Sequence, residues 1–200
     1  FTVTVYLAFS ETYPVLSAFR YAAFNTVSVM TGTGYATTDF GQWGGFVIVI
    51  LFMLMFVGGC AGSTTCGIKV FRFQILFQVA RVQIRQLLQP HGVFIPYFGG
   101  RPVDNTVATS VMGFFYLYAL TVCLLAIALA ALGLDFVTAM SGAASAVSNV
   151  GPGLGPIIGP AGTYAPLPDT AKWLLSAGML LGRLELFTVL VLILPGFWRG

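Results

Sequence analysis

The chain has 200 residues, 58% of them hydrophobic and 8% charged, with a net charge of +3. Soluble domains carry about 25% charged residues, so this composition excludes an ordinary soluble domain and points to lipid as the surrounding solvent. Five of the nine basic residues cluster between Lys69 and Arg101, which bears on topology more than on nucleic acid. A helix that crosses the hydrocarbon core needs about 20 apolar residues, and shorter apolar runs are re-entrant or buried. By that rule residues 1–10 are the end of a first helix, about half a span long. The chain is therefore expected to be a fragment, with no signal peptide at its start. Residues 14–30 form a short helix and residues 31–36 a loop that begins Thr31-Gly32-Thr33-Gly34-Tyr35. Residues 42–88 form a second helix, broken at Gly58–Gly67 and resuming at Ile68. Residues 90–104 form a connection. Residues 106–132 are a full span, 136–148 another short helix, and 149–155 the loop Asn149-Val150-Gly151-Pro152-Gly153-Leu154-Gly155. Residues 170–197 form the last helix, whose apolar pattern is interrupted only by Arg183 and Glu185.

The order helix, short helix, glycine-rich loop, helix thus occurs twice, over 1–89 and 105–200. It is an internal repeat of about 115 residues, visible in pattern and not in residue identity. Charge sets the orientation. Lys69, Arg72, Arg81, Arg85 and Arg101 lie in one connection with Asp104 the only acid, which makes that connection cytoplasmic. Glu11, Asp39, Asp135, Asp169 and Lys172 are then external, and both short helices enter from outside and return outside. Trp43 and Trp173 begin their helices where an interfacial aromatic belt would sit.

Non-helical backbone at membrane depth survives only when it is buried or lines a wet cavity. Ion coordination supplies a reason for it here. Backbone carbonyls can replace the water around a monovalent cation without adding a net charge. Glycine reaches the backbone angles that turn carbonyls inward, while Thr33, Val150 and Pro152 keep the loops narrow. Neither loop holds an acid, so selection by a carboxylate ring is not expected from them. Asp39 and Asp135 suit charges at the mouth that concentrate cations, or simple helix caps. One Gly-x-Gly alone is an ordinary turn, and a phosphate loop is excluded because no strand precedes it. The cysteines Cys60, Cys66 and Cys123 lie in apolar stretches at poor zinc spacing and read as small packing residues. The single histidine, His91, and the absence of clustered acids exclude an enzyme with its own catalytic set. A secondary transporter for Na⁺ or another small solute is the alternative, since such proteins also use broken helices.

Phe24-Asn25-Thr26-Val27-Ser28 leading into Thr31–Tyr35 resembles the third pore region of the Trk/Ktr/HKT potassium transporters. Ser148-Asn149-Val150-Gly151-Pro152-Gly153 resembles the fourth. Met55–Lys69 resembles the broken helix of the bacterial Trk-type membrane subunit, and Gly182-Arg183-Leu184-Glu185 the arginine turn of its last helix. The resemblance implies an all-α integral membrane fold with two consecutive helix–pore helix–helix, K⁺-channel-like repeats, the third and fourth of four. It implies filter positions at Gly32, Thr33, Gly34 and Tyr35, and at Asn149, Val150, Gly151 and Pro152, holding K⁺ by carbonyls with no further cofactor. Cys66 stands where such sequences often have glycine, which stiffens the broken segment.

Gly58–Gly67 contains four glycines and no large side chain, so a helix there unwinds, and the hydroxyls of Ser63, Thr64 and Thr65 can satisfy the freed backbone. The resemblance makes this segment (Gly58, Gly59, Gly62, Ser63, Thr64, Thr65, Gly67) a loop that obstructs the pore. A small-residue seam for helix packing fits the same composition. A central arginine costs at least about 2.5–3.5 kcal/mol on insertion scales, so Arg183 needs a cavity or a partner. Glu185, about 200° away round a helix, is a poor one. Arg183 is expected to face the loop as part of the gate, or else to pair with an acid elsewhere in the protein. Arg20 is expected to anchor the outer surface. The basic stretch 69–101 suits anionic lipid. The resemblance adds as partners the two remaining repeats, a homodimer copy and a cytosolic nucleotide-binding regulatory subunit, and it places the chain in the bacterial inner membrane.

Overall fold

The computed structural model describes residues 1–10, 13–60, 62, 63, 65–184, 191 and 195–198. Glu11, Thr64 and Glu185, which the sequence analysis singled out, lie outside them. The first half contains α1 (Thr2–Phe9), α2 (Val15–Thr31), a 3-10 turn at Phe40–Gln42, α3 (Gly45–Met55) and α4 (Val70–Leu88). A two-stranded ribbon, β1 (Tyr97–Phe98) and β2 (Arg101–Pro102), leads to α5 (Asn105–Ala131), α6 (Phe136–Ser148) and α7 (Asp169–Arg183).

α5 is long and apolar enough to cross a membrane. Its 27 residues span about 40 Å at 1.5 Å per residue. α6 lies at the centre of the second half, packed by α3, α5 and α7. Ala, Gly and Ser make up most of α6, so neighbouring backbones can approach closely, which is how helices pack where lipid removes the hydrophobic drive. Ten of its 13 residues are buried. Its start is fixed by Asp135, whose carboxylate accepts from the Thr138 N–H at 3.1 Å. α7 meets α6 through glycine. A methyl at Gly182 would collide with the Val147 carbonyl, and one at Gly178 would lie 2.6 Å from the Leu125 side chain.

Leu7, Ala18, Val29, Phe40, Trp43, Val47 and Leu51 form the core of the first half, and Val150 and Leu154 from the second half complete it. Ile68, Phe114, Tyr118 and Leu129 join α6 and α7 in the other large core. The halves are therefore joined through the residues of the second glycine-rich loop.

Several expectations move. Trp43 is buried against Phe40 and is not part of an interfacial belt, whereas Trp173 is exposed. Packing decided this, because the 3-10 turn folds Trp43 inward. The connection is not wholly irregular: Gly99 and Gly100, at φ +58° and +79°, make the tight turn that a two-residue hairpin requires. α2 retains Thr31, since the left-handed backbone that ends it begins at Gly32. The helix after the break resumes at Val70, not Ile68, because the Ile68 backbone is paired with the segment before the break. Cys60 and Cys123 are exposed and Cys66 half-buried, so none is an interior packing residue. α7 is described to Arg183; its expected continuation to 197 falls largely outside the described residues, with a 3-10 turn at Pro195–Trp198.

Candidate functional site: two glycine loops and a helix break

Both short helices end in the same backbone geometry. Gly32 caps α2 at φ +68° and Asn149 caps α6 at φ +52°, the latter the single non-glycine residue with positive φ among those described. Asparagine tolerates this region better than other side chains. The Thr33 N–H donates to the Ser28 carbonyl at 3.0 Å, and the Val150 N–H donates to the Ser145 carbonyl at 3.0 Å. The same sequence separation relates Ser28 to Ser145 and Gly34 to Gly151.

The fold brings the two loops together. A methyl at Gly34 would collide with the Val150 carbonyl oxygen, one at Gly32 would lie 3.3 Å from the Asn149 carbonyl oxygen, and one at Gly151 would lie 3.6 Å from Gly34 Cα. The contact at Gly34 leaves no room for a Cβ, and φ of +76° at Gly34 and +111° at Gly151 favours glycine at both positions. Thr33, Gly34, Tyr35, Val150, Gly151 and Pro152 line one cavity of about 480 Å³. All eight sequence-predicted loop residues thus sit in two apposed segments, with no carboxylate among them.

Side chains behind the loops hold them. Asn25, fully buried, donates to the Tyr21 carbonyl at 2.8 Å and to Thr37 Oγ1 at 2.9 Å, and accepts from the Thr37 N–H at 3.1 Å. Ser28 donates to the Tyr35 carbonyl at 2.6 Å. Ser145 accepts from the Gly151 N–H at 3.2 Å, and Ser141 clasps Leu154 through its N–H at 2.9 Å and its carbonyl at 3.2 Å. Asn149 Nδ2 donates to the Met179 carbonyl on α7 at 3.0 Å. Sequence reasoning gave Asn25, Ser28, Ser141 and Ser145 no role of their own, and it made Asn149 a filter position without the α7 contact. One signal was present: Ser141, Ser145 and Ser148 recur at spacings of four and three on one face of an apolar helix.

The helix break is closed at its neck. The Gly58 N–H donates to the Ile68 carbonyl at 2.9 Å, Ile68 N–H to the Phe56 carbonyl at 2.9 Å, and Val70 N–H to the Gly59 carbonyl at 3.2 Å. Gly62 and Gly67 turn the chain at φ +83° and +81°, and the Ser63 and Thr65 hydroxyls bond each other at 2.7 Å. Arg183 does face this segment. Its Nη1 donates to Cys66 Sγ at 3.2 Å. Thr65, Cys66, Lys69, Arg72, Tyr118 and Arg183 line a cavity of about 270 Å³, and Arg72 lies 3.8 Å over the Phe114 ring. Tyr118 bonds Ser148 at 2.6 Å, which ties this chamber to the residue that precedes Asn149.

The acids are less free than a mouth-charge role suggests. Asp39 accepts from the Gly41 N–H at 3.1 Å and from Gln42 Nε2 at 2.9 Å. Hydrogen bonds from Thr138 hold the Asp135 carboxyl below its ordinary value. Arg20 stays at the surface, bonding Tyr21 at 3.2 Å. Among the described residues no three His, Cys, Asp or Glu side chains gather as a metal site.

These features define a helical protein in which the glycine loops that follow two short helices are apposed, with α5 among the described residues long and apolar enough to cross a membrane. Residues 5–196 match the family model described as TrkH, cation transport protein, and the chain belongs to that family. It is 52% identical over 190 residues to the Trk system potassium uptake protein TrkI of Halomonas elongata, covering 95% of this chain and 39% of that protein. To TrkH of Vibrio parahaemolyticus it is 41% identical over 183 residues, covering 92% of this chain and 37% of that one. The crystal structure of the potassium transporter TrkH from Vibrio parahaemolyticus superposes with a TM-score of 0.91 at 38% identity, covering 99% of this chain and 42% of that structure. The chain therefore spans about two-fifths of the length of the relatives it matches.

Proposed function

We propose that this chain forms half of a K⁺ uptake pore in a bacterial inner membrane, as the third and fourth of four helix–pore helix–helix repeats. Carbonyls of Gly32–Tyr35 and Asn149–Pro152 line the ion path. The single observation that carries this reading is the apposition of two left-handed glycine loops, Gly34 against Val150, around one uncharged cavity. A dehydrated monovalent cation is the ligand such a neutral oxygen lining suits. The names of the relatives, potassium uptake proteins, support K⁺ as that cation.

The Gly58–Gly67 segment, with Gly58, Gly59, Gly62, Ser63, Thr64, Thr65 and Gly67, serves as the gate. Arg183 keeps it closed by bonding the loop and by placing a positive charge in the ion path. The 90–104 connection faces the cytoplasm, where the basic residues of α4 meet anionic lipid and a nucleotide-binding regulatory subunit. A homodimer of the full subunit completes the assembly, and no cofactor is needed. The test is flux into liposomes holding the full-length protein, with K⁺, Na⁺ and Rb⁺ compared. K⁺ and Rb⁺ are expected to pass and Na⁺ to be rejected; equal passage of all three refutes the selective-loop reading.

A further inference from the structure

The backbone pattern makes Gly34 and Gly151 equivalent, but their carbonyls are not held alike. Tyr164 lies between the second loop and α7, in a segment that neither composition nor resemblance marks for function. Its hydroxyl donates to the Gly151 carbonyl at 2.7 Å. The N–H of the same glycine is held by Ser145 at 3.2 Å. Both polar groups of Gly151 are therefore fixed by side chains from outside the loop. In the first loop the serine at the matching place, Ser28, bonds the carbonyl of Tyr35 instead. No hydroxyl is recorded on the Gly34 carbonyl among the described residues. Tyr164 also lines the cavity between the loops, so its oxygen stands beside the path on which a cation would travel.

In the snug-fit account of selectivity, a carbonyl ring prefers one ion size because its oxygens resist collapsing onto a smaller ion. A hydroxyl that holds a carbonyl oxygen opposes that collapse directly. We propose that Tyr164 is a specificity-determining positioning residue whose hydroxyl pins the Gly151 carbonyl and so favours K⁺ over the smaller Na⁺. This role rests on the pore reading given above. Burial raises the Tyr164 hydroxyl above its ordinary pKa of 10.0, so it remains a proton donor throughout the physiological range. The ring packs against the larger core of the second half, and phenylalanine keeps that packing while removing only the donor.

The experiment compares the full-length wild type with Tyr164→Phe in liposomes, measuring K⁺ and Na⁺ flux separately. The K⁺/Na⁺ flux ratio is expected to fall roughly five- to tenfold, the factor a single neutral hydrogen bond commands. An unchanged ratio, or proportional loss of both fluxes, overturns the role of Tyr164. A wild type that passes Na⁺ as readily as K⁺ overturns the pore reading and this role with it. If the variant does not reconstitute, the shift in Tm of the detergent-purified protein with added K⁺ against added Na⁺ reads the same discrimination. Equal K⁺ preference in variant and wild type by that measure also refutes the proposal.

Discussion

Gly34 is held by two independent constraints, a left-handed backbone and a neighbouring carbonyl where its side chain would be. The backbone term alone is about 1–2 kcal/mol, and that energy placed in the barrier to ion passage slows flux roughly five- to thirtyfold. Gly34→Ala in the full-length protein is expected to abolish most K⁺ uptake while leaving the protein in the membrane, as growth of a K⁺-uptake-deficient bacterium at low K⁺ would show. Arg183 carries the opposite expectation. Removing its guanidinium ends its bond to the Cys66 thiol and lowers the positive charge at the break, so Arg183→Ala should raise K⁺ flux several-fold in liposomes. Lower or unchanged flux in a well-folded variant would argue against a gate. The glycines were legible in sequence because few other residues adopt those angles. Arg183 was legible because an intramembrane charge is costly. Tyr164, Ser145 and Asn25 were not, because a lone hydroxyl or amide acquires meaning only from the loop folded against it.

At the scale of elements, α6 was read from the sequence at its true bounds. Its apolar run is flanked by an aspartate cap and a glycine loop, signals that do not depend on tertiary contact. α4 was read to begin two residues early, since nothing local reveals that Ile68 pairs across the break. The 97–102 ribbon was missed, although Gly99-Gly100 is a hairpin signal. The cap at Asp135 has a measurable consequence. Asp135→Ala removes the acceptor for the Thr138 N–H and should cost about 0.5–2 kcal/mol, seen as a lower Tm in detergent. Because hydrogen bonding depresses the Asp135 carboxyl, its stabilisation is present above the ordinary carboxyl value of 3.8 and is lost as pH falls below that, through the depressed value. The Tm difference between wild type and Asp135→Ala should therefore persist at neutral pH and vanish in strong acid; a constant difference would mean the cap acts otherwise.

For the whole molecule, the pore reading makes these two glycine loops half of a four-loop ring. A protein limited to residues 1–200 should conduct no K⁺ in liposomes under conditions where the full-length protein does; conduction by the shorter chain would mean that copies of it assemble a ring. The exposed apolar face of α2, with Leu16, Phe19 and Val27, is unlike the enclosed α6 and marks the side on which the first half stands open. One turn of α7 has a wider consequence. Met179 receives Asn149, Gly182 seats against Val147, and Arg183 reaches Cys66. The same short stretch touches the foot of the second loop and the broken helix, so neither can shift without loading the other. On the pore reading this makes ion occupancy and gating reciprocal, as linkage demands of any two coupled equilibria. A cation resting on the loops helps set the position of the barrier, and the barrier in turn sets how long that cation stays.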